Sequence, residues 1–259
     1  MPTTAPFALY DRYPANGTLG VWDAANTESW PSQSAPVVGA QTLKNLVESG
    51  ALDANVSVDW TWDATRKGFT RPAATSARIS LGAPTLGDTP RSVVGTAWVY
   101  VPAVPTAFTP IMSRLNSTSA AVDNQFALAI GADGKPRIDT ISVDADGSTL
   151  RAAVAYAGSA ITVGWHQMAW SITFATGNSA TTALYVDGAQ VGSSPYIGAK
   201  LNPSTLSIAL GNRHGSSTAG SAAGIVYRRA TLEDLSVSGK TAAARVLKDW
   251  DQYRGTVGL

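Results

Sequence analysis

A chain of 259 residues with 44% apolar side chains and eight tryptophans has the length and apolar content of one large folded domain, and its lack of cysteine excludes disulfides and thiolate metal centres. The formal charge is +1 and only 14% of residues are charged, against a usual share of about 25%. This leaves no basic footprint for nucleic acid and no acidic tail, and the aromatic content speaks against disorder.

The first residues carry neither a charged leader nor an apolar run, so no secretory signal is expected. No stretch of about 18 apolar residues exists to insert in a membrane. Residues 1–50 are rich in Pro, Thr, Ser and Asn yet hold Tyr10, Tyr13, Trp22 and Trp30. An extended arm with that many aromatics binds something. It either wraps its own domain or docks these rings on a neighbouring subunit. Leu43, Leu46 and Val47 suggest a short helix or turn ended by Gly50.

From residue 51 onward the pattern is that of strands. Val56 to Trp62 alternates and reads as one strand. It places Val58, Trp60 and Trp62 on one face, either as core or as a platform for stacking a sugar. Ala77 to Leu81 is a second strand, and Val93 to Val101, apolar on both faces, suits a central strand covered on both sides. Gln125–Ile130 and Pro136–Ile141 flank a hairpin at Asp133-Gly134, and Leu150, Ala152, Val154 and Tyr156 alternate again. His166, Met168, Trp170, Ile172 and Phe174 form one row of a half-buried strand. Leu184 and Val186 resume the row before Asp187-Gly188, a two-residue type I′ turn in which both residues need positive φ. The predicted core of this meander is Met168, Trp170, Ile172, Phe174, Leu184 and Val186. Gly211 to Gly224 is a loop carrying Asn212, Arg213 and His214, and Ile225 to Val237 is a long strand. Residues 241–253 form the one helix, capped by Thr241, with Val246, Trp250 and Tyr253 on a stripe that packs on the edge of the sheets. Strands at this spacing with repeated Asp-Gly turns predict an all-β antiparallel sandwich.

Gly164-Trp165-His166-Gln167-Met168-Ala169, followed by Leu184-Tyr185-Val186-Asp187-Gly188-Ala189-Gln190-Val191-Gly192, resembles the central strands of the laminin-G-like, concanavalin A-like jelly rolls. Thr96-Ala97-Trp98-Val99 upstream and Leu206 to Asn212 downstream resemble two further strands, so the resemblance covers residues 60–237. The stretch Leu232 to Thr241 with the helix after it resembles the closing strand and terminal helix of jelly rolls encoded by tailed bacteriophages. The resemblance implies a concanavalin A-like jelly roll of two antiparallel sheets over residues 51–259, preceded by the arm. Such a fold hosts lectins, glycosidases, adhesion modules and virion proteins.

Glycosidases of this fold carry Glu-x-Asp-x-(x)-Glu on one strand, because retaining hydrolysis needs carboxylates about 5–5.5 Å apart. Glu28, Glu48 and Glu233 are the only glutamates, and none opens such a motif. Asp144-x-Asp146 precedes Gly147 and reads as a turn or a weak calcium site, as laminin-G-like domains often hold calcium on loop oxygens. Two histidines, His166 and His214, are too few for a zinc triad. Ser238-Gly239-Lys240-Thr241 imitates the end of a phosphate-binding loop, but Asp234 stands where the first glycine is required.

The expectation is therefore a non-enzymatic structural protein of the bacteriophage virion, a capsid decoration, head fibre or tail component. Its arm binds other virion proteins and copies of itself. The alternative is a carbohydrate-binding lectin module that uses Asn212, Arg213 and His214 with Trp60 and Trp62. The two readings overlap where a virion protein grips host glycans. A glycoside hydrolase ranks third.

Overall fold

The structure is a computed structural model. It describes residues 16–33, 41–47, 52–57, 59–72, 77–82, 84, 86, 91–115, 124–147, 150–213 and 224–259, without the side chain of Arg151. Tyr10, Tyr13, Val58 and His214 lie outside the described residues.

In chain order the strands are β1 (Thr18–Asp23), β2 (Gln41–Leu43), β3 (Ala54–Val56), β4 (Thr61–Asp63), β5 (Gly68–Thr70), β6 (Ile79–Ser80), β7 (Val93–Val101), β8 (Thr109–Arg114) and β9 (Phe126–Ile130). They continue with β10 (Pro136–Val143), β11 (Leu150–Tyr156), β12 (Gly164–Ala175), β13 (Ser179–Val186), β14 (Ala189–Ile197), β15 (Lys200–Leu201), β16 (Ala209–Leu210) and β17 (Val226–Asp234). A one-turn helix α1 (Leu235–Ser238), helix α2 (Ala242–Tyr253) and the 3₁₀ turn Arg254–Val257 close the chain.

The first sheet runs β14-β13-β12-β7-β17-β5-β4, with β1 added beside β17; the second runs β11-β10-β9-β8-β16-β6-β3-β2, with β15 beside β10. Pairing among the described strands is antiparallel throughout, for example β12 with β7 and with β13. The expected two-sheet sandwich is the architecture observed. Met168, Trp170, Ile172 and Leu184 are fully buried between the sheets. Phe174 packs against the cluster from its rim, and Val186 is only half-buried at the turn end of β13. Trp170 of the first sheet lies against Phe126 of the second at 4.0 Å between ring centroids. This face-to-face contact joins the two layers. The turn after β13 is as expected, with Asp187 at φ 52° and Gly188 at φ 81°.

Three local readings change. Val56 to Trp62 is not one strand. The chain leaves the second sheet after β3, passes Asp59 at φ 79°, and enters the first sheet as β4, so the alternation spans a sheet-to-sheet crossing. The segment at Leu43 is a strand paired with β3, not a helix. The N-terminal arm is part of the sandwich over its described residues: β1 pairs with β17 and β2 with β3. Trp22 and Trp30 are each 1% exposed within the hydrophobic core. Trp22 donates its indole N–H to the carbonyl of Leu52 at 2.9 Å, and Trp30 meets Phe69 edge-on at 4.8 Å. These two rings act as core of their own chain, and the docking role expected of them on a neighbouring subunit is corrected accordingly.

Helix α2 forms as expected. Thr241 caps it by accepting from Ala244 N–H at 3.3 Å, and Val246 and Tyr253 are buried. It lies on the outer face of the first sheet rather than on an edge, with Trp250 stacked on Trp98 of the central β7 at 5.4 Å and 4° between planes. That explains why β7 is apolar on both faces. The helix also rests on the β13–β14 turn. A Cβ on Gly188 would stand 2.8 Å from the Trp250 ring, so only glycine serves both the turn and the helix contact.

Candidate functional site

The outer face of the first sheet is organised by a row of directly opposed residues. Asp23 of β1 faces Arg229 of β17, Arg229 faces Trp98 of β7, and Trp98 faces Gln167 of β12. Helix α2 sets Asp249 and Tyr253, one turn apart, onto this row. Asp249 accepts from Trp98 Nε1 at 2.7 Å and from Gln167 Nε2 at 2.8 Å, and its other oxygen lies 3.4 Å from Arg229 Nε. Tyr253 donates to Asp23, whose carboxylate also pairs with Arg229 at 3.1 Å. Burial, then the neighbouring Asp23 carboxylate, push the Tyr253 phenol well above its ordinary value. It therefore stays protonated and serves as a donor.

A break in alternation creates the next row. The core-facing residues along β17 and the position just before it are Ile225 and Tyr227, then Ala230 and Leu232. The step of three between Tyr227 and Ala230 is a β-bulge, visible as a register shift against β7 between Tyr227 and Arg229. A bulge adds one residue and re-aims its neighbours. Here it turns both Arg228 and Arg229 to the outer face. Arg229 enters the buried row, while Arg228 stands past the end of the helix. Its Nε donates to the Tyr253 oxygen at 2.9 Å, and its guanidinium lies 5.2 Å from the Tyr253 ring and 5.8 Å from Trp165. Trp165 meets Tyr100 edge-on at 5.7 Å, and Arg66 covers Tyr100 at 4.0 Å. Two cations thus bracket a pair of aromatic rings along the part of the sheet that the helix leaves open, with Arg66, Tyr100, Trp165 and Arg228 all partly exposed. The turn after β1, the β4–β5 turn and the end of α2 rise around Arg228 and enclose an open cleft of about 770 Å³, lined among others by Asn26, Glu28, Lys67, Arg228, Gln252 and Thr256. Its walls offer amide, carboxylate, ammonium, guanidinium and hydroxyl groups together, a lining suited to a polyhydroxyl ligand.

The sites expected from sequence are distributed differently. Trp60 and Trp62 are 1% and 4% exposed in the core, where Trp60 meets Tyr227 and Trp62 meets Phe69. They form no sugar platform, because the crossing at Asp59 turns them inward. Asn212 is buried too; its side chain accepts from the Arg213 N–H and its carbonyl from Ser113. Arg213 is partly exposed, with its guanidinium 6.0 Å from the Phe108 ring. The Asp144-Ala145-Asp146-Gly147 segment is a turn closed by Gly147 N–H on the Asp144 carbonyl at 2.9 Å. No group of three metal-ligating side chains gathers there or elsewhere among the described residues. His166 is structural, held between Asp187 at 2.9 Å and the Thr162 carbonyl at 3.0 Å. No helix among the described residues is long and apolar enough to cross a membrane.

Arg228, Trp165, Tyr100 and Arg66 were not among the sequence candidates. One signal for them exists: the 2-3-2 spacing of Ile225, Tyr227, Ala230 and Leu232 around two consecutive arginines, which marks a bulge and an outward-facing charge.

Residues 73–228 match the family described as the concanavalin A-like lectin/glucanases superfamily. No curated protein matches the chain. Among solved structures, the fold is similar to that of Trypanosoma rangeli sialidase in complex with sialic acid, with a TM-score of 0.57, 11% identity, and coverage of 93% of this chain and 34% of that one. It is also similar to the binding domain of Paraclostridial Mosquitocidal Protein 1, with a TM-score of 0.59, 10% identity, and coverage of 92% and 52%. The botulinum neurotoxin serotype D binding domain gives a TM-score of 0.56, 12% identity, and coverage of 91% and 50%. The chain therefore spans a third of the sialidase and half of each toxin binding domain, and the likeness shows the fold.

Proposed function

The chain belongs to the concanavalin A-like lectin/glucanases superfamily, and from that membership we propose that it is a non-enzymatic glycan-binding protein of a bacteriophage virion, gripping carbohydrate in the cleft around Arg228. The observation that carries the binding reading is the cleft itself. A polar pocket large enough for a short oligosaccharide opens beside a shelf of partly exposed aromatic rings. Sugars present hydroxyls to be bonded in the plane of the ring and apolar C–H faces to be stacked. Structures sharing the fold include two toxin binding domains and a sialidase in complex with sialic acid, which fits this reading.

The non-enzymatic part rests on how the buried acids are committed. Asp23 and Asp249 are held by Arg229, and Glu233 by Arg245. Asp234 caps α1 through Ser236 N–H. The Tyr253 phenol, held protonated, makes a poor nucleophile. The virion part rests on the resemblance of Leu232 to Thr241 and the following helix to phage-encoded jelly rolls. A glycan array probed with the wild type and with Arg228→Ala tests the binding reading: hits on neutral glycans are expected for the wild type, with that signal lost in the variant. An array blank for the protein displayed at high valency would refute it. Mass spectrometry of purified particles from the source tests the virion role, and absence of the chain from particles would refute that.

A further inference from the structure

Helix α2 packs on the first sheet, and the second sheet carries a separate cluster on its own outer face. On β10 and β11, Arg137 stands directly opposite Tyr156, and Asp139 opposite Val154. Arg137 grips Asp139 with bonds of 2.7 and 2.9 Å from one nitrogen, and its guanidinium lies 4.9 Å from the Tyr156 ring and 5.5 Å from Phe108. Phe108 is approached by a second guanidinium, that of Arg213, at 6.0 Å. The sequence Tyr156, Arg137, Phe108, Arg213 is therefore one continuous alternation of rings and cations. Tyr156 is 52% exposed at one end.

The charges are unequal. Asp139 offsets Arg137, whereas Arg213 has no carboxylate partner among the described residues. The cluster thus offers one uncompensated guanidinium beside two aromatic faces. A planar guanidinium matches a carboxylate with two parallel hydrogen bonds, and partly exposed rings match the C–H face of a pyranose. We propose that this face is a second binding site, independent of the cleft, for a sugar bearing a carboxylate. Arg213 holds the carboxylate, Phe108 and Tyr156 stack the ring, and Arg137, fixed by Asp139, donates to a hydroxyl. With sites on opposite sheets, one chain engages two glycans at once and gains avidity on a glycan-coated surface.

The test is titration calorimetry of the full chain with glucuronic acid and N-acetylneuraminic acid, with glucuronic acid methyl ester and glucose as neutral controls. Arg213→Gln and the surface variant Tyr156→Ala should each weaken the acidic sugars by about tenfold while keeping the wild-type melting temperature. Arg228→Ala should leave this binding unchanged, which separates the second site from the cleft. Affinity should also fall with added salt, as for an exposed ion pair. The proposal is overturned if the methyl ester binds as tightly as the acid, if inorganic sulfate competes as well as the sugar, or if Arg228→Ala removes the binding that Arg213→Gln and Tyr156→Ala leave intact.

Discussion

Removing Trp22 decides whether the N-terminal segment is a structural strand or an arm for a partner. The side chain is 1% exposed, sits in the main core cluster and spends its one polar atom on the Leu52 carbonyl at 2.9 Å. Truncating a buried Trp to Ala costs about 3–5 kcal/mol, and the orphaned Leu52 carbonyl adds about 1 kcal/mol where water does not replace the bond. For a two-state chain of 259 residues the entropy of unfolding at the midpoint is about 0.5 kcal/mol/K. Trp22→Ala should therefore lower Tm by roughly 8–12 °C, read by circular dichroism or by calorimetry. Deleting residues 1–52 removes β1, β2, Trp22 and Trp30 together. That loss rivals the roughly 5–15 kcal/mol that keeps a domain folded, so the truncated chain should lack a cooperative melt. A truncated protein with native near-ultraviolet signal and an unshifted melt would show that the burial of these rings is dispensable, and would return the segment to a role between subunits.

Other outcomes follow from the outer face of the first sheet. Asp249→Asn removes the charge that Arg229, Trp98 and Gln167 share, and breaking a buried pair from one side costs about 3–5 kcal/mol; a denaturant midpoint unchanged from wild type would contradict the network. Gly188→Ala places a methyl 2.8 Å from Trp250 at φ 81° and should cost more than the roughly 1 kcal/mol of a simple backbone mismatch, with loss of near-ultraviolet signal from the Trp98–Trp250 stack. Burial raises the phenols of Tyr196, Tyr227 and Tyr253 above the ordinary 10.0. Because the folded state holds these protons more tightly, their stabilisation is complete below about pH 10 and is lost as pH rises above it. Tyr253→Phe should flatten that alkaline decline, and an equally steep decline in the variant would remove Tyr253 as a contributor. Arg228→Ala, on a partly exposed residue, should abolish the binding of neutral glycans in the cleft while shifting Tm by only a few degrees; wild-type binding of neutral glycans in that variant would move the site elsewhere.

Much of the sandwich was legible because period-two alternation is set by burial on one face, and strands such as β7, β12 and β13 run far enough for the period to show. Asp187-Gly188 was legible because few residue pairs adopt two successive positive φ values. What could not be read were places where the chain changes sheet without changing its pattern. From Val56 to Trp62 the alternation persists through the crossing at Asp59, so Trp60 and Trp62 carry an unbroken pattern although Trp62 lies in β4, in a different sheet from β3. Trp22 and Trp30 were visible as aromatics out of place in a Pro- and Ser-rich segment, but whether their partner is the same chain or another is a question of tertiary closure, which composition does not hold. The site was the least legible part. Its residues come from β7, β12, β17 and the β4–β5 turn, and are brought together only by register.

The same register ties the cleft to the stability of the fold. Helix α2 is fixed at the height and angle that Asp249 and Tyr253 require to reach Trp98, Gln167, Arg229 and Asp23. Its end therefore stops short of Tyr100 and Trp165, and the bulge at Arg228 puts a cation in the space left over. Had β17 continued without the extra residue, Arg229 or its neighbour would have faced the core, and the outer row would have lost either the buried partner of Asp23 or the exposed cation of the cleft. A single inserted residue thus supplies both a structural charge under the helix and a partly exposed one beyond it. Arg228 also donates to the Tyr253 oxygen that bonds Asp23, so a ligand drawing on Arg228 pulls on the contact that seats the helix. Binding in the cleft should accordingly raise Tm by mass action and tighten hydrogen exchange in the last turn of α2, and protection confined to β7 and β12 would show that the ligand rests on the aromatic shelf without engaging Arg228.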